Sequence, residues 1–166
     1  MPMDKVCNIV KGWFMSRDAI IKEAMKIWHD HALLREGKRN TVYADSLGKP
    51  TVGIGHLVTH SDGLKLGDKI TDKQVQEFFT KDSQSALKKS LEQCTESGVL
   101  NPEWLAALIS VNFQLGDIRK VFYTSWPLLC QGKKDAAIRG FQNSAWAKQT
   151  PVRVDDFVDA IERHIG

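Results

Sequence analysis

Glu36, Asp45 and Thr51 lie within one run of sixteen residues. Glu36 stands directly before a glycine, and Asp45 and Thr51 flank the turn-forming stretch Leu47-Gly-Lys-Pro50. Two carboxyls and a hydroxyl at this spacing are the parts of an acid–base hydrolytic site. A carboxyl at a helix end facing a carboxylate on a small sheet sets groups on both sides of a glycosidic bond. Taken singly, each residue has a plainer reading: a solvated glutamate, a turn aspartate, a β-branched strand residue. Their joint occurrence is what points to chemistry.

The flanking sequence supplies elements to hold them. Ser16 is an N-cap for a helix over residues 16–36, with apolar positions at Ile20, Ile21, Ala24, Ile27 and Trp28, His31 on the same stripe, and Gly37 as its stop. Thr41–Asp45 and Thr51–Leu57 are short β-prone runs joined by a turn, a hairpin or small meander. Downstream, Thr71-Asp-Lys-Gln74 is a capping box opening a helix with Val75, Phe78, Phe79, Ala86 and Leu87 on one face. Asp82 falls on that apolar stripe, so its carboxylate needs a partner, and His56 is the candidate. Asn101-Pro102 starts a helix that is apolar on most sides from Trp104 to Leu115, as expected of a central buried helix. Ser125-Trp126-Pro127, Gly132-Lys133 and Asn143-Ser144 punctuate shorter helices. Thr150-Pro151 begins a last amphipathic one through Val154, Phe157, Val158 and Ile161.

The chain resembles the phage-type lysozymes of glycoside hydrolase family 24. The Glu-x8-Asp-x5-Thr spacing is met by Glu36, Asp45 and Thr51, followed by Gly53-Ile-Gly-His56. Similar blocks recur in order at residues 70–82, 107–116 and 146–153, so that the resemblance covers roughly residues 33 to 162. It implies an α+β, mostly α-helical, lysozyme-like fold: a small β-hairpin lobe and a larger helical lobe with the active-site cleft between. The expected map is a single domain, residues 1–166. It comprises an N-terminal extension and helix (1–32), a β lobe carrying the catalytic residues (37–60) and a helical lobe (61–166).

The resemblance further implies a muramidase cutting the β-1,4 bond between N-acetylmuramic acid and N-acetylglucosamine with inversion. Glu36 would be the general acid, Asp45 would assist the attacking water, and Thr51 would hold it. Leu57, Phe113, Gln114, Ser125 and Trp146 match positions that bind the saccharide, and His56 and Asp82 match a structural ion pair. One departure is visible: relatives carry an asparagine six residues before that tryptophan, and this chain has Gly140. No cofactor or metal is expected, there being no His-Glu-x-x-His and His29 and His31 lying on different helix faces. The expected partner is the peptidoglycan glycan strand, bound by a monomer, with no nucleic acid. Three competing readings stay open: a lytic transglycosylase, a non-catalytic wall binder, and a basic membrane-permeabilising protein.

Bulk properties fit. At 166 residues the chain makes one domain, or two small lobes sharing a long helix. Cys7, Cys94 and Cys130 form no disulfide framework or zinc ribbon. The net charge is +3, and between Ile118 and Arg153 seven basic residues stand against one acid, Asp135. That region suits weak contact with anionic wall polymers or membrane, although scattered charges of this kind individually read as solvated surface. Residues 1–15 are apolar but broken by Lys11 and Gly12, too short for a signal peptide or membrane anchor, and read only as helix. For a chain that resembles the phage-type lysozymes, the resemblance then implies a location in the host bacterial cytoplasm until lysis, and afterwards in the cell wall and periplasm.

Overall fold

The computed structural model describes residues 9–10 and 13–166. The chain divides into two compact units, residues 1–28 with 86–166, and residues 29–85. Two long helices pass between the units in sequence: α1 (Arg17–Glu36) and α2 (Asp72–Ser97). Both begin where their caps dictate. The Ser16 hydroxyl accepts the Ala19 N–H at 3.1 Å, and Thr71 and Gln74 close a reciprocal capping box at 3.1 and 2.9 Å. Helix α1 stops at Gly37, whose φ of +69° needs a glycine.

The first described residues are strands rather than helix. Strand β1 (Ile9–Val10) pairs antiparallel with β2 (Trp13–Phe14), Ile9 opposite Phe14. Here β-branched and aromatic residues favour an extended pair, correcting the helical expectation for this segment. Residues 1–8 and 11–12, Cys7 among them, lie outside the described residues.

In the unit of residues 29–85 the sheet runs β3 (Arg39–Ala44), β4 (Pro50–Gly53) and β5 (His56–Leu57), antiparallel throughout. Thr51 lies opposite both Tyr43 and Leu57, and Val52 opposite His56. Paired residues share a face, so Val42, Val52 and His56 point one way, all buried, and Tyr43, Thr51 and Leu57 the other. The register shifts between Arg39 and Tyr43, a bulge in β3. The outer side of β3 is covered by residues 67–70, through Val42 N–H to Asp68 O at 2.8 Å and Ile70 N–H to Asn40 O at 2.7 Å.

Besides β1, β2 and α1 up to Trp28, the other unit is helical: the remainder of α2, then α3 (Pro102–Leu115), α4 (Ile118–Val121), α5 (Ser125–Cys130), α6 (Lys134–Gln142), α7 (Ala145–Gln149) and α8 (Pro151–His164). Helix α3 is its centre. Asn101 caps it by accepting the Trp104 N–H at 2.8 Å, and Trp104, Leu105, Leu108 and Ile109 are fully buried. An aromatic cluster surrounds it: Trp104 stacks on Phe157 at 5.7 Å, and Phe141 meets Phe157 edge-on at 5.3 Å. Among the described residues no helix is long and apolar enough to cross a membrane.

A buried polar network joins α2 to α3 inside this unit. Asn112 donates to Ser90 Oγ (2.8 Å) and Gln93 Oε1 (2.7 Å), and its Oδ1 accepts the Ile118 N–H (3.0 Å). Arg119 continues it, binding Asp117 through two nitrogens and Glu96 at 2.8 Å. The Asn112→Ala variant strands the Ile118 N–H and Gln93 Oε1. Each buried group left unpaired costs about 1–3 kcal/mol, so urea denaturation should show a loss of about 2 kcal/mol or more. A loss under about 0.5 kcal/mol, the level of an indifferent surface change, would show that the network does not hold α2 to α3.

Candidate active site

Glu36, Asp45 and Thr51 all fall in the unit of residues 29–85. Glu36 is the last residue of α1 and is half-buried. Its carboxyl packs on the β4–β5 turn: a Cβ on Gly55 would lie 2.9 Å from Glu36 Cδ and Oε2. Gly55 also has φ +65°, so both the backbone and the space admit only a glycine. The Gly-x-Gly-His run therefore seats an acid as well as making a turn.

Asp45 sits at the head of the β3–β4 turn, where its Oδ1 accepts the N–H groups of Leu47 (2.9 Å) and Lys49 (2.8 Å). The Asp45 N–H also donates to Lys49 O at 2.8 Å. Asp45 is thus a turn aspartate and something more. One carboxylate oxygen is fixed by the turn, and the other makes no hydrogen bond among the described residues. Thr51, only 7% exposed, donates its hydroxyl hydrogen to Lys49 O at 3.2 Å. Its oxygen keeps its lone pairs for a hydrogen from elsewhere.

His56 is held between two carboxylates: Nδ1 lies 2.6 Å from Asp82 Oδ2 and Nε2 lies 2.8 Å from Asp62 Oδ2. Its ring stacks on Phe78, centroids 4.0 Å apart. The second carboxylate escaped the sequence reading, although Thr59-x-x-Asp62 has capping-box spacing and Asp62 indeed accepts the Thr59 N–H at 2.8 Å. Burial alone would push the imidazole pKa down, but the hydrogen bonds and charges of Asp82 and Asp62 outweigh it and hold it above 6.5. For Asp62, burial pushes upward, yet the hydrogen bonds from Thr59 and His56 win and its pKa falls below 3.8. With both ring nitrogens engaged, His56 has no lone pair to offer a metal.

Leu57 is 49% exposed at the edge of the sheet row that contains Thr51. Phe113, Gln114, Ser125 and Trp146 belong to the other unit. There Gln114 accepts the Trp146 indole N–H at 2.9 Å and donates to Thr150 at 3.0 Å. Trp146 is buried among Phe122 and Phe157, and Phe113 meets Trp28 at 4.9 Å. The Ser125 hydroxyl fills the space a Cβ on Gly140 would take. An asparagine at 140 would displace Ser125, so the Gly140 departure and the buried Ser125 are one packing solution. The Cys94 thiol is pushed up to about 12 by burial and Cys130 to about 11 by burial and the nearby Glu96, so neither is a nucleophile at neutral pH.

Comparison with known proteins places similarity along most of the chain. The family model described as phage lysozyme matches residues 34–158. The chain is 28% identical over 146 residues to "Peptidoglycan hydrolase gp36" of Pseudomonas phage phiKMV, covering 87% of this chain and 16% of that protein. It is 30% identical over 151 residues to "Probable T4-type lysozyme 1" of Dictyostelium discoideum, covering 76% of this chain and 88% of that protein. The chain thus spans about a sixth of the phage relative and most of the amoebal one.

The His56 clamp makes stability depend on pH with a defined sign. A raised folded-state histidine pKa stabilises fully below 6.5, an effect lost as pH rises through the folded value. A depressed Asp62 stabilises fully above 3.8, an effect lost as pH falls through its folded value. The clamp's contribution should therefore be greatest between those values. Denaturation midpoints of wild type and His56→Asn, compared from about pH 5 to about pH 9, should converge as pH rises. A constant difference would contradict the clamp.

Proposed function

The chain belongs to the phage lysozyme family, and on that premise we propose that it is a muramidase, hydrolysing the β-1,4 bond between N-acetylmuramic acid and N-acetylglucosamine of bacterial peptidoglycan with inversion. The observation that carries the reading is the Asp45–Lys49–Thr51 turn. Asp45 Oδ1 is locked to two backbone N–H groups, and the Thr51 hydroxyl hydrogen is spent on Lys49 O. What remains is one carboxylate oxygen and one hydroxyl lone pair. A water giving one hydrogen to each has its own lone pair free to attack the anomeric carbon.

Glu36 delivers a proton to the leaving glycosidic oxygen, and Asp45 takes one from the attacking water as the C–O bond breaks. The ionised Asp45 also stabilises the positive charge developing on the ring. Inversion needs room for water, so the two carboxyl groups should stand roughly 6.5–9.5 Å apart. The substrate-binding set is proposed as Leu57, Phe113, Gln114, Ser125 and Trp146. Trp146 acts through Gln114, whose amide it orients. Of the seven basic residues between 118 and 153, Arg119, Lys134 and Arg153 are committed to intramolecular bonds. Lys120, Lys133, Arg139 and Lys148 are exposed, and these are proposed to make weak contact with anionic wall polymers. The proposal includes a monomer that accumulates in the host bacterium and reaches the wall at lysis.

The Glu36→Gln variant should stay folded and lose about 10²- to 10⁴-fold in turnover, read as turbidity loss of purified sacculi. Mass spectrometry of the released fragments should find reducing muramic acid ends. Near wild-type clearing by the variant overturns the assignment, and anhydro-muramic ends would make the enzyme a transglycosylase.

The Thr51→Val variant keeps the strand shape and removes the lone pairs, so it should lose activity with its melting temperature little changed. Gly55→Ala should lose both, because it strains the backbone and displaces Glu36. Full activity in Thr51→Val would remove Thr51 from the water site.

A further inference from the structure

Arg39 and Tyr43 are left unused by the mechanism, and both belong to the sheet that carries Thr51. Tyr43 lies directly opposite Thr51, which lies opposite Leu57, so the three side chains form one row across β3, β4 and β5. Thr51 is the buried middle of that row, Tyr43 is half-buried and Leu57 is half-exposed. The bulge between Arg39 and Tyr43 lets Arg39 fold back over this row: its guanidinium carbon stands 4.1 Å from the Tyr43 ring centroid.

Stacking uses the face of a guanidinium and leaves its edge, with the N–H donors, open. The nearby acid is already taken: Asp72 is bound by Lys38 at 2.8 Å and by Asn40 at 2.9 Å. Among the described residues Arg39 enters no ion pair. The result is an exposed cation seated on the ring that lies opposite Thr51, with a planar fork matched to a carboxylate.

We propose that Arg39, seated on the Tyr43 ring, is a specificity residue that binds a carboxylate carried by the muramyl part of the substrate. The assignment rests on the muramidase reading and narrows it: the preferred glycan is one whose muramic acid bears an anionic group. That carboxylate belongs either to the peptide stem or, where the stem is missing, to the lactyl ether of muramic acid.

The test uses the full chain and soluble, uncross-linked glycan strands in three forms: with stem peptides, with stems removed by an amidase, and with all carboxylates capped as methylamides. Reducing-end release is followed for wild type, Arg39→Gln and Arg39→Lys, after each variant's melting temperature is shown to match. A charge-assisted hydrogen bond lost from binding corresponds to about a tenfold change or more. Arg39→Gln should therefore raise KM about tenfold on carboxylate-bearing strands with kcat nearly retained. Arg39→Lys, with charge but no fork, should fall between.

Capping should raise the wild-type KM by a similar factor and erase the difference between wild type and variant. A difference confined to stem-bearing strands assigns the peptide carboxylate, and one that persists on amidase-treated strands assigns the lactyl group. Equal KM values on carboxylate-bearing strands, or a difference surviving on capped ones, overturns the role of Arg39. If wild type itself releases no reducing ends from any form, the muramidase reading fails and this assignment falls with it.

Discussion

The imidazole of His56, gripped on both nitrogens by Asp62 and Asp82, is the contact on which the sheet's orientation depends. Strand β5 is only two residues long and cannot fix its own register. With His56 tied inward, Leu57 must face outward, and the pairing of β4 with β5 then sends Val52 inward and Thr51 outward. A slip of one residue would bury Leu57 and turn Thr51 away. The clamp lies on the face opposite the proposed chemistry and decides which face that is. It also ties three pieces of chain, β5, the turn at residues 60–62 and α2, to one ring.

A second constraint is the approach of α1 to the β4–β5 turn. The Glu36 carboxyl lies where any side chain at residue 55 would have to be. The acid's position follows from the absence of a single carbon atom. The adjoining turn treats Asp45 in a comparable way: two backbone N–H groups hold one oxygen and leave the other. At Asp45 the backbone aims the functional group, so little side-chain entropy remains to be lost there when substrate arrives.

How much of this was legible beforehand varied with the range of the interaction. Local signals read true: the Ser16 cap, the Thr71–Gln74 box and the Asn101-Pro102 start all open the helices they announce. The α+β class and the hairpin carrying Asp45 and Thr51 also follow from local pattern and motif spacing. Residues 9–14 misled because an apolar run this short fits helix or strand equally. Asp62 was missed although it stands only six residues from His56, because it sits on no apolar stripe that would demand a partner, and the fold-back of Arg39 onto Tyr43 depends on a bulge with no sequence mark. Gly140 was visible as a departure, but only packing shows that Ser125 fills the space.

The account stands or falls on a single displacement by a water held between Asp45 and Thr51. The direct measurement is the anomeric configuration of the first-formed reducing end, read by proton NMR before mutarotation erases it. Attack by that water on a β-linked muramic acid predicts the α-anomer as the initial product. An initial β-anomer would require a covalent glycosyl-enzyme or an equivalent second displacement and would contradict the account.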